Sequence, residues 1–328
     1  MLFYDMVKNN LEDLEADMVK VIPKDPSEVY DLIMPYVRRG GKRIRPILSF
    51  LSFLACKGGK DNKIIRPVAI LELFHNFTLI HDDIEDNSEM RRGEPTLHKL
   101  CGIPMALNSG DAMYTCIWKS IAELKLPQEE KSHLSSLYAD SFKRVVEGQG
   151  IELYWHFTGR FDVSEEDYIY MIRGKTAALL GLSCELGGYL AGNRNHLKAL
   201  RNFGEFLGIS FQIQDDILNV TGRFDKYKKE IGGDISEGKR TLMVVYALNR
   251  ASPPNIEKLK SILQSNSKNK EHIKEVITIL TESGAVDYAR EKAEEFKRKA
   301  LSSLASLPDS KEKEALVELA NYVLTREE

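Results

Sequence analysis

Apolar residues recur at steps of three and four along almost the whole chain, and this period sets the fold class. Leu11, Leu14, Met18 and Ile22 follow it near one end, and Val286, Ala289, Ala293, Phe296, Ala300 and Leu304 near the other. Such spacing gathers apolar side chains on one face of an α-helix. Sustained alternation at period two is scarce, so strands are not expected. Turn-forming residues interrupt the pattern at KDP (24–26), RRGGKR (38–43), CKGGKDN (56–62), CGIP (101–104), GGD (232–234), ASPPN (251–255) and LPDS (307–310). The expectation is an all-α protein, on the order of ten or more helices in one bundle with interior polar sites. A chain of 328 residues would suggest about two domains. No Pro/Gly/Ser-rich linker or composition break divides it, so a single domain over residues 1–328 is expected.

With 43% hydrophobic and 29% charged residues there is ample material for a core. The net charge of −3 provides no basic field for nucleic acid phosphates. Cys56, Cys101, Cys116 and Cys184 are scattered without a C-x-x-C pair, which points to buried thiols in a reducing compartment. The first residues lack the basic and apolar regions of a signal peptide. The longest small-and-apolar run, 177–192, is broken by Glu185 and is short of the ~20 residues a bilayer span needs. A cytoplasmic protein without a membrane span is expected.

IHDDIED (80–86) and IQDDILN (213–219) share one frame. In the second, Gln212, Asp215, Asp216 and Asn219 form a polar stripe beside an apolar stripe of Phe206, Ile209, Ile213, Ile217 and Val220. In the first, Asp82 and Asp86 lie one turn apart, below His75 and Thr78, with Leu71, Leu73, Phe74, Phe77, Leu79 and Ile80 close by. Like charges at this spacing repel by about 0.2–0.5 kcal/mol per pair, and carboxylates on a largely buried helix must be paired or metal-bound. One such cluster is usually a solvated helix end. Two inside apolar helices, with basic residues nearby, favour a site. The donors are hard oxygens, which selects Mg²⁺ over Zn²⁺ and leaves coordination positions for water and phosphate.

Cations accompany both clusters. GGKRIRP (40–46) places Lys42 and Arg45 at the start of a helix, a favourable place for an anion. Arg91 and Arg92 offer forked donors for phosphate oxygens. GKT (174–176) is not a nucleotide P-loop, because Ile169 stands where that motif needs glycine and no strand precedes it. Lys175 and Thr176 stay candidates for phosphate contact. Lys229, Lys239 and Arg240 follow the second cluster in a glycine-rich segment that could close as a lid.

Through GGKRIRP, LFHNFTLIHDDIEDNSEMRRGEPTLH, GKTAAL, FQIQDDILN and GGDISEGKRT the chain resembles the trans-isoprenyl diphosphate synthases, or polyprenyl synthetases. It is most similar to short-chain geranylgeranyl diphosphate synthases. The resemblance implies a helical bundle of the isoprenoid synthase type with a central cavity, a homodimer, and Mg²⁺ dependence, with three ions when substrate is bound. The implied activity is head-to-tail condensation of an allylic diphosphate with isopentenyl diphosphate. Asp82, Asp83, Asp86, Arg91, Lys175, Asp215 and Asp216 match the catalytic positions, with Asp82, Asp86 and Asp215 as metal ligands. Lys42, Arg45, His75 and Arg92 match contacts to isopentenyl diphosphate. Arg91, Lys175, Thr176, Gln212, Lys229 and Lys239 match contacts to the allylic diphosphate. Phe74, Phe77 and Thr78 match the chain-length pocket. The single aromatic five positions before the first aspartate resembles synthases of the C20 product. A helical wheel alone would not choose Phe77, which lies about 140° from Asp82 against about 40° for Thr78. The second motif closes with Asn219 where the family often has aspartate. Asn keeps a carbonyl oxygen and loses a charge. A C15 synthase and a non-catalytic regulatory subunit are the alternatives. A terpene cyclase lacks support, because the Ser/Thr and Glu of its second motif are absent here.

Overall fold

A computed structural model describes residues 1–57, 62–222 and 232–324. Ten helices lead up to the second acid cluster: α1 Leu2–Val21, α2 Ser27–Arg38, α3 Ile44–Lys57, α4 Ile65–Glu85, α5 Leu97–Cys101, α6 Ile103–Ala122, α7 Gln128–Phe157, α8 Glu165–Ile172, α9 Ala178–Leu190 and α10 Leu197–Thr221. Beyond it come Gly233–Ser236, Leu242–Arg250, Pro253–Gln264, Lys270–Glu282, Ala285–Ser303 and Lys311–Leu324. The all-α expectation holds. KDP separates α1 from α2, RRGGKR separates α2 from α3, and CGIP separates α5 from α6. CKGGKDN runs into residues outside those described.

Among the described residues the extended structure is one small hairpin, β1 Met90–Arg91 and β2 Glu94–Pro95, with Arg91 opposite Glu94. The helical period gave no sign of it. Arg92 (φ +56°) and Gly93 (φ +81°) make its turn, as a two-residue hairpin loop with both centres at positive φ requires. Neighbours hold the loop in place, since Thr96 donates its N–H to the Glu89 carbonyl (3.1 Å) and its hydroxyl to the Ser88 carbonyl (2.7 Å).

The chain groups into two compact units. One comprises Met1–Asp140, Leu182–Lys198 and Leu307–Leu316, and the other Ser141–Gly181, Ala199–Ser306 and Val317–Glu328. At the heart of the first unit is α4, packed against α6 and α1. Val68, Ala69, Ile70, Leu71, Leu73 and Phe74 are all fully buried, so the helix has apolar contacts on nearly every side. Each large apolar side chain buried this way contributes about 1.5–3 kcal/mol. A helix so placed must pair its polar residues internally. Glu72 accepts from Arg43 at 2.8 Å, and the Asn76 amide donates to the Glu72 carbonyl at 2.8 Å.

In the second unit Tyr168, Ile213 and Ile217 share a core with Leu242, Val245, Ala289 and Phe296. Helix α8 starts in a capping box, Ser164 with Asp167, which satisfies two backbone donors. Residues Arg173–Ala177, which contain the GKT segment, form a π-helical turn between α8 and α9. Such turns are rare and often mark functional sites. Here glycines make it possible. A Cβ on Gly148 of α7 would lie 2.2 Å from the Lys175 nitrogen, and one on Gly174 would lie 2.6 Å from the Arg144 carbonyl oxygen. Only bare backbone on both sides permits that approach.

Candidate active site

The first unit gathers guanidinium groups around one imidazole. Of the three cations in GGKRIRP, Arg43 is buried and paired, to Glu15 at 2.7 Å and Glu72 at 2.8 Å. Lys42 is exposed and Arg45 half-buried. Burial holds the Arg45 and Arg92 guanidinium groups below their ordinary range. Glu72, already bonded to Arg43, is the acid that pulls both the other way. His75 is pushed well below the usual histidine range by burial and then by Arg45, Arg92, Arg91 and Arg43, so its imidazole is neutral near pH 7. Arg92 donates to the Gly40 carbonyl, and a Cβ on Gly41 would lie 3.1 Å from the Arg92 Cζ. The glycine therefore admits the hairpin arginine into this cluster. Arg43 and Arg91 each meet two carboxylates, whereas among the described residues Glu72 alone acts on both Arg45 and Arg92, and positive charge concentrated in this way suits a polyanion.

The two leading aspartates of the first motif differ in environment. The Asp82 side chain keeps 24% of its surface exposed, against 1% for Asp83. Asp83 accepts from the Tyr36 hydroxyl at 2.8 Å on Oδ2 and from Arg91 Nε at 2.8 Å on Oδ1. Burial pushes the Asp83 carboxyl up, against the Arg91 charge and the two hydrogen bonds, which pull it down. Asp86 caps the C-terminus of α4 and is half-buried. Arg91 also reaches Asp82 at 3.3 Å.

The second unit repeats this construction. Asp216 is buried and accepts from the Tyr168 hydroxyl at 2.7 Å and from Gln212 Nε2 at 2.9 Å, while Asp215 is half-buried. Gln212 in turn accepts from the Thr176 hydroxyl at 2.7 Å. Burial and the neighbouring Asp234 push the Asp216 carboxyl up to about 8. Lys175 pairs with Glu152 at 2.5 Å, and Lys239 with Glu237 at 2.5 Å and Asp234 at 3.7 Å. The Asn219 amide oxygen accepts the Asp234 backbone N–H at 3.1 Å. That bond sets Asp234 near the second motif, which sequence reasoning missed. Arg240 is buried and bonds the carbonyls of Arg160 and Gly238. Lys229 lies outside the described residues.

Among the described residues no three His, Cys, Asp or Glu side chains form a ready metal cage. The oxygen donors come in ones and twos. That fits Mg²⁺, which takes one or two carboxylates and completes its shell with water and phosphate oxygens.

Phe74, Phe77 and Thr78 sit on α4 above the motif. Thr78 turns its hydroxyl to the His75 carbonyl at 2.9 Å. The Phe77 ring stacks on Tyr114 of α6, centroids 5.0 Å apart and planes at 28°, with His81 at 4.6 Å and Phe74 at 5.5 Å. Tyr114 meets Trp118 edge-on at 6.1 Å. The one-turn spacing of Tyr114 and Trp118 was the available sign of this second aromatic layer.

The model of the polyprenyl synthetase family matches residues 26–280. The chain belongs to that family. It is 37% identical over 324 residues to a geranylgeranyl pyrophosphate synthase of Geoglobus acetivorans, covering 98% of this chain and 96% of that one. The geranylgeranyl pyrophosphate synthetase structure from Pyrococcus horikoshii superposes with a TM-score of 0.90 at 33% identity, covering 99% and 98%. A polyprenyl synthase from Caulobacter crescentus, in complex with calcium and isoprenyl diphosphate, gives a TM-score of 0.90 at 25% identity over 100% and 98%. This polyprenyl synthetase thus has the isoprenyl synthase fold and is a prenyltransferase. Among the described residues no helix is long and apolar enough to cross a membrane.

Proposed function

We propose that this polyprenyl synthetase extends an allylic diphosphate with isopentenyl diphosphate, head to tail, to geranylgeranyl diphosphate. The observation that carries the reading is the guanidinium cluster around neutral His75, with Glu72 shared between its arginines. It suits the diphosphate of isopentenyl diphosphate, contacted by Lys42, Arg45, His75 and Arg92. Arg91, Lys175, Thr176, Gln212, Lys229 and Lys239 serve the allylic diphosphate. Lys175 and Lys239 leave their glutamates to do so. Asp82, Asp86 and Asp215 would hold Mg²⁺, which when bound supplies charge that neutralises the leaving diphosphate. A relative's complex with calcium and isoprenyl diphosphate supports a divalent ion in this role.

The chain's own groups do the rest. As the allylic C–O bond breaks, Arg91 and the lysines take up negative charge on the departing oxygen. The double bond of isopentenyl diphosphate, held at its other end, attacks the allylic carbon, and much of the rate gain is positional. The released diphosphate accepts the proton then lost. Asp83 and Asp216 act one step back, as buried supports for Arg91 and Gln212. Phe77 bounds the growing chain.

The same reading makes the protein a cytoplasmic homodimer whose whole chain is one catalytic domain. Its four cysteines are all free thiols. On α7, Val146, Leu153, Tyr154 and Phe157 are exposed on one stripe, with open space at Gly150. A second copy of the chain would cover such a stripe.

The test is turnover of the purified chain with Mg²⁺, isopentenyl diphosphate and farnesyl diphosphate, with products resolved by length. The C20 product is expected. No product refutes the activity, and a product that stops at C15 with shorter starters refutes the length.

A further inference from the structure

The C-terminal end of α2 bonds both flanks of the arginine-bearing hairpin: Tyr36 reaches Asp83, which holds Arg91, and Arg39, the residue that follows the helix, reaches the Pro95 carbonyl. We propose that Tyr36 and Arg39 are positioning residues for the two substrates: Tyr36 sets Arg91 through Asp83, and Arg39 sets Arg92 through the Pro95 carbonyl. This rests on the roles proposed above for Arg91 and Arg92.

Tyr36 is 2% exposed, and its hydroxyl is used in both directions. It donates to Asp83 Oδ2 at 2.8 Å and accepts the Leu97 backbone N–H at 3.0 Å. Burial and the Asp83 charge push that hydroxyl up to about 12, so it stays a donor at working pH. The other Asp83 oxygen holds Arg91 Nε at 2.8 Å. A carboxylate bonded on both oxygens cannot swing, so the plane of the Arg91 guanidinium is fixed from α2. Helical geometry adds a second effect. Successive residues of a helix differ by about 100°, so anchoring Asp83 in the interior sets Asp82 and Asp86 together on one flank of that anchor, about 100° and about 60° round from it and about 40° from each other.

Arg39 lies with its Cζ 4.3 Å from the Tyr36 ring centroid and donates Nη2 to the Pro95 carbonyl at 2.8 Å. Pro95 is the partner of Met90 across the hairpin whose turn contains Arg92. Arg39 Nε and Nη1 are buried without an acceptor. Buried unpaired donors cost stability, so holding the fold together does not account for an arginine here. Its charge also bears on Arg92, helping to hold that guanidinium below its ordinary range.

A second instance of the construction stands in the other unit. Tyr168 donates to Asp216 at 2.7 Å, and the other Asp216 oxygen holds Gln212, which holds Thr176. Tyrosine and aspartate are 47 residues apart in the first case and 48 in the second. In both, a Gly-Lys pair lies between them: Gly41-Lys42 and Gly174-Lys175.

The experiment compares wild type with Tyr36→Phe and Arg39→Met. Tyr36→Phe removes one oxygen and keeps the ring under Arg39. It should raise KM for the allylic diphosphate about tenfold, the loss of one hydrogen bond to a charged group, and leave KM for isopentenyl diphosphate within about twofold. Arg39→Met should do the reverse. The double variant Tyr36→Phe/Asp83→Asn should behave as Asp83→Asn alone, because Tyr36 acts through that carboxylate. A purely structural role would lower the melting temperature while leaving both KM values unchanged, or would raise both equally. Either result overturns the proposal. Calorimetric titration with inorganic pyrophosphate and Mg²⁺ needs no turnover. Unchanged binding by Tyr36→Phe overturns the inference even if wild type is active, and an inactive wild type refutes the proposed function instead.

Discussion

Replacing Phe77 by alanine tests both the chain-length assignment and the packing beneath it. The ring is 8% exposed and lies among Tyr114, His81 and Phe74. Truncating a buried phenylalanine costs about 3–5 kcal/mol where the surroundings do not collapse. The aromatic pair with Tyr114 accounts for about 0.5–1.5 kcal/mol of that loss. The space released is close to a benzene ring, comparable with one isoprene unit, so the product should lengthen by about one C5 unit. Tyr114 then becomes the next obstacle, which keeps the extension short. The assay is chromatography of dephosphorylated products from labelled isopentenyl diphosphate, at a temperature below the variant's melting point. Phe77→Leu, which preserves apolar volume, gives a folded reference that should retain the C20 limit. A folded Phe77→Ala enzyme that still stops at C20 would refute the assignment of this ring as the floor.

Arg43→Met should destabilise the protein by about 3–5 kcal/mol in urea unfolding, because it strands the buried Glu72 carboxylate. Asp216→Asn should raise the melting temperature of the ligand-free protein at pH 8 by a few degrees, about 1–2 kcal/mol, while sharply lowering turnover. The Asp216 carboxyl is raised to about 8, so its contribution to stability is complete below the unfolded carboxyl range and is lost as pH rises through about 8. His75 runs the other way. Its folded pKa lies well below the unfolded one, so stability falls as pH drops below about 6.5, by up to about 1.4 kcal/mol per pH unit. His75→Gln should flatten that part of a pH–stability curve, and an unchanged slope would show that the imidazole is not the group responsible.

The helices were legible because burial repeats every turn, and the two acid motifs because carboxylates are out of place on apolar helices. The hairpin at 90–95 was not, since its turn depends on Arg92 at positive φ and on Thr96 bonding from outside. Nor did the sequence distinguish the two aspartates of each pair. Adjacent positions look equivalent in a string, and only the packing of α2 and α8 shows that Asp83 and Asp216 face a tyrosine. Tyr36 and Tyr168 could have been found by following the repeat backwards from the IHDDIED and IQDDILN frames through the two Gly-Lys pairs. Asp234 could not, because Asn219 brings it into place through its backbone.

The crowding of Arg45, Arg91 and Arg92 about an uncharged His75 has a practical consequence for handling this protein. Arg91 is paired with Asp82 and Asp83, but among the described residues Arg45 and Arg92 have only Glu72, already bonded to Arg43, to offset their charges. Their mutual repulsion opposes folding, so the bare polypeptide is the less robust form. A bound anion relieves that strain in addition to the ordinary mass-action gain of about 2.7 kcal/mol at a hundredfold excess over Kd. A simple melting curve therefore becomes a sensor. Compounds bearing a diphosphate should move it further than monophosphates at equal concentration, which allows a panel to be ranked before any turnover is attempted.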